Sequence, residues 1–585
     1  RAAPQRSPRF IHLCADPAAP PALPPSPTRR SSDLIHEGRR IACPQRAAGL
    51  SRRLTRNGGD AFLGSWQFQR DDVVELSMTR GTIAGHQMAL GKSRIAAGCC
   101  LLGGRHNAIV VGAGLIDEME AQFKAFGLPP SEYKIIRRPV DTVNLARINL
   151  VSYHSLRQNY GGRSLATWLR RRFHTVCADE GSLIAHSDTQ QTQALYQLSP
   201  KRRIALDGTP ISNLPRNLLP LVAWASREGT ASQPYGTRSP FITARLYTSA
   251  ASAERGIDRF REEFVVTEWV THQFEDGLES GAKREIPSLA NLDLYREFVG
   301  RHILRRVMGE PDVAKHIHID PPEVTVRTVP WDPAHLEHYV STAEEFVNWY
   351  RRQRQDLSSH KLNLVTVLLR LAAANRAAAI PQDLKGPLTW TGGLTSKQRD
   401  CIDLLSSLDA NGATAICFFE SPVTAELIAG HLSRRGVEAV VYTGKRTRAQ
   451  RKRDLNERFR TGKARVLLMT YGVGARGLNL PEASHTVLYD RMWSPRQESQ
   501  AIWRALRVGR VGVLQVIQMH LEGSIDEYKA QMVAFKQDTA NAGLDFATPE
   551  FHPGDYTHWL TILDRFCESI GRTRLQFSQR LDQAA

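Results

Sequence analysis

Two adjacent acidic residues, Asp179 and Glu180, follow the short apolar run Val176–Ala178. In phosphoryl-transfer enzymes, one carboxylate at the end of a buried strand binds Mg²⁺ and a neighbouring group orients the attacking water. Asp179 is the candidate for the magnesium ligand, and Glu180 is the candidate for the group that orients water. The same pair also occurs where a strand simply meets solvent, so the interpretation depends on the presence of a phosphate-binding segment.

The tripeptide Gly91-Lys92-Ser93 follows a predicted strand and opens a predicted helix. A helix N-terminus binds phosphate through its backbone N–H groups, a lysine adds positive charge, and a serine hydroxyl binds Mg²⁺. The usual pattern also has a glycine six residues before the lysine, where this chain has His86. The tripeptide therefore predicts a phosphate-binding loop, with an ordinary helix start as the alternative.

Two arginines, Arg504 and Arg507, lie three residues apart in the predicted helix at 500–510. This spacing places both on one helix face. Arginines of this kind stabilise charge on a transferring phosphoryl group and contribute about 10³- to 10⁵-fold in rate. The alternative is a solvated basic helix. If the arginines act from a second lobe, hydrolysis depends on closure of the cleft between the lobes.

Apolar strands alternate with helices in two separate parts of the chain, which predicts parallel sheets covered on both faces. The fold class is therefore α/β, with two lobes joined by a helical connection. The predicted strands lie within 81–102, 107–114, 148–156, 174–180, 202–213, 415–421, 438–444, 465–472 and 485–490. The predicted units are a disordered or artefactual tail (1–58), a first lobe that contains the phosphate-binding loop (59–330), a helical linker (331–392), a second lobe (393–540) and a C-terminal tail (541–585).

The composition restricts the class of protein. The chain has 585 residues and a formal net charge of +18, of which residues 1–57 contribute +8. The remaining excess of +10 still favours a polyanionic partner. The eight cysteines form no C-x-x-C pair and no Cys/His cluster, which argues against a zinc site and for a reducing compartment. Since Arg370 and Arg376 interrupt the longest apolar run, no membrane span is predicted.

The order of these motifs resembles that of the Swi/Snf-type ATPases of helicase superfamily two. The resemblance extends over about residues 65–535. The similar segments are MALGKS (88–93), VSYHSLR (151–157), DEGS (179–182), LDGTPISN (206–213), HILRRVMGEPDVAKHIHIDPP (302–322), TSKQRDCIDLL (395–405) and the long stretch 467–510. In the last stretch, GLNL is combined with D-x-x-W-x-P and Q-A-x-x-R-x-x-R-x-G, and this combination is the most specific part of the match.

The resemblance implies two RecA-like P-loop lobes that bind ATP and Mg²⁺ in the cleft between them. It implies ATP contacts from Gln69, Leu90, Gly91, Lys92, Ser93 and Gly477. It also implies duplex DNA as the partner, bound mainly through backbone phosphates, and ATP-driven translocation in the cytoplasm of a bacterial or phage-infected cell. The alternatives are a strand-separating helicase, a module that binds ATP and DNA without hydrolysis, and a motor subunit of a restriction or defence complex.

Several positions depart from the family pattern. Ala89 replaces a loop glycine, Gly181-Ser182 replace Ala-His, and Asp207 replaces threonine. In addition, His86-Gln87 replace Asp-Glu and Arg510 replaces glutamine. The absence of the histidine removes a side chain that commonly links the ATP site to neighbouring motifs. The proposed catalytic and phosphate-binding residues are retained, so ATP hydrolysis is still predicted, with altered coupling between DNA binding and hydrolysis.

The segment 445–465 contains 10 basic and 2 acidic residues. Leu455 and Phe459 are four residues apart and are predicted to hold one helix face against the second lobe. The basic side chains are then either phosphate contacts, which position a protein on DNA without reading bases, or a solvated surface.

Overall fold

The computed structural model describes residues 37, 39–59, 63, 66–211, 215–226, 256–273, 279–355, 364–384, 389–474, 478–545 and 547. Within these residues the chain forms two α/β lobes, which confirms the predicted fold class. The first-lobe strands are β1 (Gly81–His86), β2 (Asn107–Val111), β3 (Tyr133–Ile136), β4 (Ile148–Ser152), β5 (Asn159–Tyr160), β6 (Arg163–Ser164), β7 (Thr175–Asp179), β8 (Arg202–Leu206), β9 (Val265–Gln273), β10 (Glu279–Leu289) and β11 (Ile303–Arg306). The second-lobe strands are β12 (Glu323–Val329), β13 (Ala415–Phe419), β14 (Ala439–Tyr442), β15 (Val466–Thr470), β16 (His485–Leu488) and β17 (Gln515–Leu521).

Helices connect most of these strands. They are α1 (Pro44–Arg56), α2 (Gln67–Met78), α3 (Lys92–Leu101), α4 (Ile116–Ala125), α5 (Tyr153–Arg157), α6 (Leu165–Trp168), α7 (Gln190–Gln197), α8 (Leu219–Ser226), α9 (Gly256–Phe264), α10 (Leu292–His302), α11 (Pro311–Ala314), α12 (Pro333–Gln355), α13 (Leu364–Ala379), α14 (Ser396–Ala410), α15 (Pro422–Arg434), α16 (Arg448–Asp454), α17 (Tyr471–Gly474), α18 (Pro495–Ala505) and α19 (Ile525–Leu544). Among the described helices, none is both long enough and apolar enough to cross a lipid bilayer.

The first lobe is built on a parallel sheet with the strand order β11-β1-β8-β7-β2-β4-β3. Its central strands are largely apolar because helices cover both faces. In β2, for example, Val110 packs in the core on one face of the sheet and Ile109 packs in the core on the other. Cys99 and Cys100 are buried in the second of these cores.

The strand order determines where the functional segments meet. β8 pairs with both β1 and β7 in parallel, so the carboxyl ends of these three strands lie side by side. In open α/β sheets, ligands bind outside the carboxyl ends of the strands. The segments that follow β1, β7 and β8 contain Lys92, Glu180 and Asp207 respectively, so the sheet brings these residues to one edge.

The second lobe has its own parallel sheet, with the order β12-β17-β16-β13-β15-β14. The predicted boundary at residue 330 is wrong, because β12 pairs with β17 along its whole length and therefore belongs to this second sheet. The predicted linker at 331–392 also contributes to the second core: Tyr339 of α12 and Ala377 of α13 are fully buried there. The chain thus enters the second lobe before residue 330.

The expected disorder of residues 1–58 is wrong for α1. Leu54 on this helix is fully buried in the core of the first lobe. Arg53 donates from Nη2 to the carbonyl of Gly103 (2.7 Å), and Asn57 donates from Nδ2 to the carbonyl of Leu101 (2.7 Å). Helix α1 thus packs against α2 and is hydrogen-bonded to the end of α3, although the surrounding sequence is rich in arginine.

The last described helix, α19, extends past the predicted boundary at residue 540 and contacts the first lobe. Arg305 forms an ion pair with Asp545 (2.7 Å), and Arg296 donates to the carbonyl of Ala542 (3.2 Å). The two lobes are therefore joined at this point as well as through the connection that precedes β12.

Candidate nucleotide site between the lobes

The loop between β1 and α3 has the geometry of an anion-binding turn. Gly91 has a φ of +75°, and a Cβ built on it would lie 2.2 Å from Nε2 of Gln69. Only glycine fits this position, both because of its left-handed backbone and because of the close side chain. Lys92 begins α3 and donates from Nζ to the carbonyls of His86 (3.1 Å) and Gln87 (3.3 Å). The strand-loop-helix arrangement predicted around Gly91-Lys92-Ser93 is confirmed.

Lys92 is placed close to three carboxylates. Burial lowers the pKa of Lys92, and the nearby carboxylates of Glu180, Asp179 and Asp207 oppose that shift. The lysine is thus the cationic partner of an acidic group of side chains at the sheet edge. A phosphate group bound by the loop would extend this arrangement of charges.

Ala89, the residue that departs from the expected loop glycine, has a φ of +66°. A left-handed backbone costs an L-residue other than glycine roughly 1–2 kcal/mol, since its Cβ crowds the following carbonyl. The loop therefore retains the conformation that glycine would adopt freely and stores strain to do so. Strain of this kind is concentrated at functional sites.

Replacing Ala89 with glycine is expected to stabilise the first lobe. Relief of the left-handed strain outweighs the extra entropy of glycine in the unfolded chain, leaving a net gain of about 0.5–1 kcal/mol. Differential scanning calorimetry should show a melting temperature higher by about 1–3 °C. The matched control is Ala185→Gly. Ala185 has a φ of −59°, which alanine adopts without strain, so this variant should be less stable than the wild type. Equal decreases of the melting temperature in the two variants would contradict the assignment of strain to Ala89.

Gln69 on α2 is fully buried against the loop. Its Nε2 donates to the carbonyl of Leu90 (2.9 Å), so the orientation of the amide is fixed. Its Oε1 is buried without a hydrogen-bond partner among the described residues. An unpaired buried acceptor is costly, and a ligand N–H group such as the amino group of adenine would satisfy it. Gln69 and Leu90 thus fit a purine base beside the phosphate loop.

Asp179 is the last residue of β7, and Glu180 follows it with a φ of +52°. The hydroxyl of Tyr153 donates to the carbonyl of Asp179 (2.9 Å) and fixes this strand end. Burial and the adjacent Glu180 carboxylate raise the pKa of Asp179 to about 7, while Lys92 opposes the shift. A cation beside Asp179 would stabilise the ionised carboxylate, so the site fits Mg²⁺.

The ligands for such a Mg²⁺ ion would be few. In the described part of the chain, no group of three or more His, Cys, Asp or Glu side chains could hold a metal. Asp179 and the hydroxyl of Ser93, in the first turn of α3, would supply the protein ligands. Mg²⁺ is commonly bound by one or two carboxylates together with substrate phosphates and water.

The second lobe supplies the other side of the site through α18. Gln500 donates from Nε2 to Oε2 of Glu180 (3.2 Å), and Nη2 of Arg496 donates to the same oxygen. Arg496 also lies 3.5 Å from Oδ2 of Asp207. Glu180 is therefore a point where the two lobes meet through polar side chains. The sequence alone assigns no role to Arg496, although this residue directly follows the proline of the D-x-x-W-x-P motif.

Arg504 and Arg507 both face acidic residues of the first lobe, but they are not on one helix. The predicted shared helix face is wrong because α18 ends at Ala505, and Arg507 lies in the segment beyond it. Arg504 donates from Nη1 to the carbonyl of Leu478 (3.1 Å). Burial lowers the pKa of Arg504 to about 9 and that of Arg507 to about 10, and the carboxylates of Glu180 and Glu118 oppose both shifts.

The structure brings most of the predicted site residues together. Lys92, Asp179 and Glu180 are within electrostatic reach of one another, and Arg504 and Arg507 are within reach of Glu180. Gly477, predicted to contact ATP, lies outside the described residues.

The basic helix α16 leads into a turn of π-helix in which Leu455 and Phe459 are buried, so their predicted packing is confirmed. At its start, Arg448 forms an ion pair with Asp117 of the first lobe (2.8 Å).

Residues 78–375, just over half of the chain, match the family described as SNF2-related domain, and residues 396–509 match the helicase conserved C-terminal domain. YwqA of Bacillus subtilis, whose name describes it as an ATP-dependent helicase/translocase, is 22% identical to this chain over 67% of the chain's length. An uncharacterized ATP-dependent helicase of Mycoplasma pneumoniae is 24% identical over 74%. The chain spans only 37% of the length of each of these relatives. A solved structure, the Sulfolobus solfataricus SWI2/SNF2 ATPase core in complex with dsDNA, aligns with 81% of this chain and 94% of its own, at 16% identity and a TM-score of 0.34.

Proposed function

The chain belongs to the SNF2-related family, and from this premise we propose that it is a DNA-stimulated ATPase that moves along duplex DNA. In this proposal ATP is hydrolysed in the cleft between the lobes. The observation that carries the proposal is the position of Glu180. This carboxylate lies beside Lys92 and Asp179 of the first lobe and accepts hydrogen bonds from Arg496 and Gln500 of the second. A catalytic group held by both lobes makes hydrolysis depend on their closure.

Each proposed role follows from the chemistry of phosphoryl transfer. The N–H groups at the start of α3 and the ammonium of Lys92 bind the phosphates. Ser93 and Asp179 would hold Mg²⁺, and the ion would supply positive charge against that of the phosphates. Glu180 orients the attacking water and accepts its proton.

Arg504 and Arg507 stabilise the negative charge that develops during transfer. Both come from the second lobe, so this contribution exists only while the lobes are closed. Opening of the cleft after hydrolysis then separates the arginines from the product phosphates, and a cycle of closing and opening would move the protein along a DNA strand.

Duplex DNA as the partner is supported by the charge of the chain, which has 77 Lys and Arg against 59 Asp and Glu. The name of the Bacillus subtilis relative includes both helicase and translocase activities, which leaves strand separation as the second candidate function. Displacement of a third strand from a DNA triplex, without unwinding of a forked duplex, is the expected result for the full-length chain. Unwinding of the fork at a comparable rate would instead identify a strand-separating helicase.

The basic segment that begins α16 is proposed to contact DNA phosphates. Arg446 and Lys452 are both exposed, and the neighbouring Arg448 already reaches the first lobe, so this segment lies at the edge of the cleft. The double variant Arg446→Gln/Lys452→Gln should bind duplex DNA more weakly at every sequence. The slope of log affinity against log salt should fall by about 0.9 for each phosphate that the variant no longer neutralises.

The matched control for this test removes the same charge elsewhere. Arg105 and Arg171 are exposed and precede β2 and β7, so they lie at the amino ends of the first sheet, away from the site. Arg105→Gln/Arg171→Gln should leave the salt slope unchanged. Equal reductions of affinity in both double variants, measured by fluorescence anisotropy over a salt series, would show that only the total charge matters.

A further inference from the structure

We propose that Arg496 is a positioning residue that holds the carboxylate of Glu180 from the second lobe, and that Asp207 holds Arg496 in place. The inference rests on the proposed function, because it assigns to Glu180 the orientation of the attacking water. It goes beyond that function in naming the side chains that make the orientation of Glu180 depend on lobe closure.

Arg496 of the second lobe lies against acidic side chains of the first lobe. It lies in the first turn of α18, and its side chain is only 12% exposed. Its Nη2 donates to Oε2 of Glu180 and lies 3.5 Å from Oδ2 of Asp207. One guanidinium group therefore sits between two carboxylates that belong to the other lobe. Gln500, one helical turn further along α18, donates to the same oxygen of Glu180.

Backbone groups of the first lobe hold the Asp207 side chain in place. This side chain is 1% exposed and directly follows β8. Its Oδ2 accepts a hydrogen bond from the backbone N–H of Ser182 (2.7 Å), and its Oδ1 accepts one from the N–H of Thr209 (2.8 Å). Both carboxylate oxygens are thus fixed by backbone groups of the first lobe. Because backbone groups fix its carboxylate, Asp207 offers Arg496 a partner in a constant position.

Glu180 is oriented by side chains of the second lobe. Its backbone has a φ of +52°, a conformation that persists only when the surroundings impose it. Among the described residues, Arg496 and Gln500 are the side chains that donate hydrogen bonds to its carboxylate, and both belong to the second lobe. When the lobes separate, Glu180 therefore loses both of these donors. Closure restores them and sets the direction in which the free carboxylate oxygen points.

Two of the departures from the family pattern are connected by a hydrogen bond. Ser182 and Asp207 are far apart in the sequence, but the backbone N–H of Ser182 donates to the carboxylate of Asp207. Asp207 thus connects the turn after Glu180 to Arg496 of the second lobe. The histidine that commonly links neighbouring motifs is absent from this chain, and here a carboxylate and a guanidinium group supply such a link.

The test is a double-mutant comparison of ATP turnover with saturating duplex DNA. Arg496→Gln should lower kcat about 10- to 100-fold, the scale of a misplaced catalytic group, and change KM for ATP by less than about threefold. Arg496→Lys keeps the charge but cannot span two carboxylates, so it should recover only part of the wild-type rate. Asp207→Asn should lower kcat less than Arg496→Gln does.

The decisive variant combines Arg496→Gln with Glu180→Gln. If Arg496 acts through Glu180, adding Arg496→Gln should cause no further reduction of kcat, because residues that act as a unit are not additive. Gln497→Ala, on the same turn of α18, is the matched control and should retain wild-type turnover. Melting temperatures of all variants report on folding, and Arg496→Lys keeps the test valid if Arg496→Gln is unstable.

Each other outcome overturns the inference. Unchanged or faster turnover of Arg496→Gln would show that Arg496 does not support catalysis, and faster turnover would identify the contact as an inhibitory latch. A full additional reduction of kcat in the double variant would show that Arg496 acts independently of Glu180. If the wild-type chain has no turnover above Lys92→Ala, the proposed function fails and the inference fails with it, whereas an active wild type with a normal Arg496→Gln variant overturns the inference alone.

Discussion

Replacement of Arg507 by glutamine is expected to lower kcat for ATP hydrolysis by about 10³- to 10⁵-fold, with a much smaller change in KM. Arg507 lies beyond the end of α18, and its Nε has no hydrogen-bond partner among the described residues. Burial lowers the pKa of Arg507 to about 10, and the carboxylates of Glu118 and Glu180 of the first lobe oppose this shift. A cleft arginine that makes few hydrogen bonds within the protein is suited to binding the negative charge that develops on the phosphoryl group only during the reaction.

The controls for Arg507 separate charge from shape and position. Arg507→Lys should recover little activity, because an ammonium group cannot donate two parallel hydrogen bonds to a phosphoryl group. Arg510→Gln, which removes an arginine bonded to the carbonyls of Gly512 and Val513 in the same segment, should retain most of the wild-type turnover. Wild-type kcat in Arg507→Gln would contradict the proposed role of this arginine.

Replacement of Glu180 by glutamine is expected to lower kcat by about 10²- to 10⁴-fold while leaving ATP bound. The amide has almost the same shape and can still accept hydrogen bonds from Arg496 and Gln500, but it cannot accept a proton from water. Stopped-flow binding of a fluorescent ATP analogue, beside steady-state turnover, measures the two effects separately. The contrasting variant is Lys92→Ala, which should weaken ATP binding itself. Failure of Glu180→Gln to bind nucleotide would show that Glu180 is needed for the ground state rather than for hydrolysis.

The strands on which the site is built could be predicted from the sequence, because each is encoded by the pattern of a few neighbouring residues. Strands such as β2 and β13 are short, continuous apolar runs that end in polar or glycine residues, and parallel sheets bury such runs on both faces. The loop before Lys92 and the acidic end of β7 could be located for the same reason. Their proximity follows from the strand order, in which β8 lies between β1 and β7.

The boundary between the lobes could not be predicted from local pattern. β12 is largely exposed at the edge of its sheet, and its membership of the second lobe depends on pairing with β17, almost 200 residues later in the chain. The pattern of residues 323–329 fits an edge strand of either sheet. Similarly, α1 is assigned to the first lobe by Leu54 and Ala47, two buried residues within an arginine-rich segment.

The contacts made by α18 also could not be predicted from the sequence pattern. A regular helix would place Arg504 and Arg507 on one face, but Leu506 adopts an extended backbone with a ψ of 90° and turns the chain away after Ala505. Arg496 stands next to a motif proline, and nothing in the local sequence indicates its partners. These partners, Glu180 and Asp207, lie about 300 residues earlier in the sequence, and only the closed arrangement of the lobes brings them together.

The most direct test of the proposed activity is steady-state ATP hydrolysis by the full-length chain at low salt, measured without DNA, with single-stranded DNA and with duplex DNA, beside Lys92→Ala and Glu180→Gln. The proposed mechanism predicts turnover that duplex DNA stimulates more than single-stranded DNA does. Lys92→Ala should abolish this turnover, and Glu180→Gln should lower it about 10²- to 10⁴-fold. ATP and DNA binding by the wild type with no turnover above that of the two variants would contradict it, and would show that the cleft around Ala89 and Glu180 binds nucleotide without hydrolysing it.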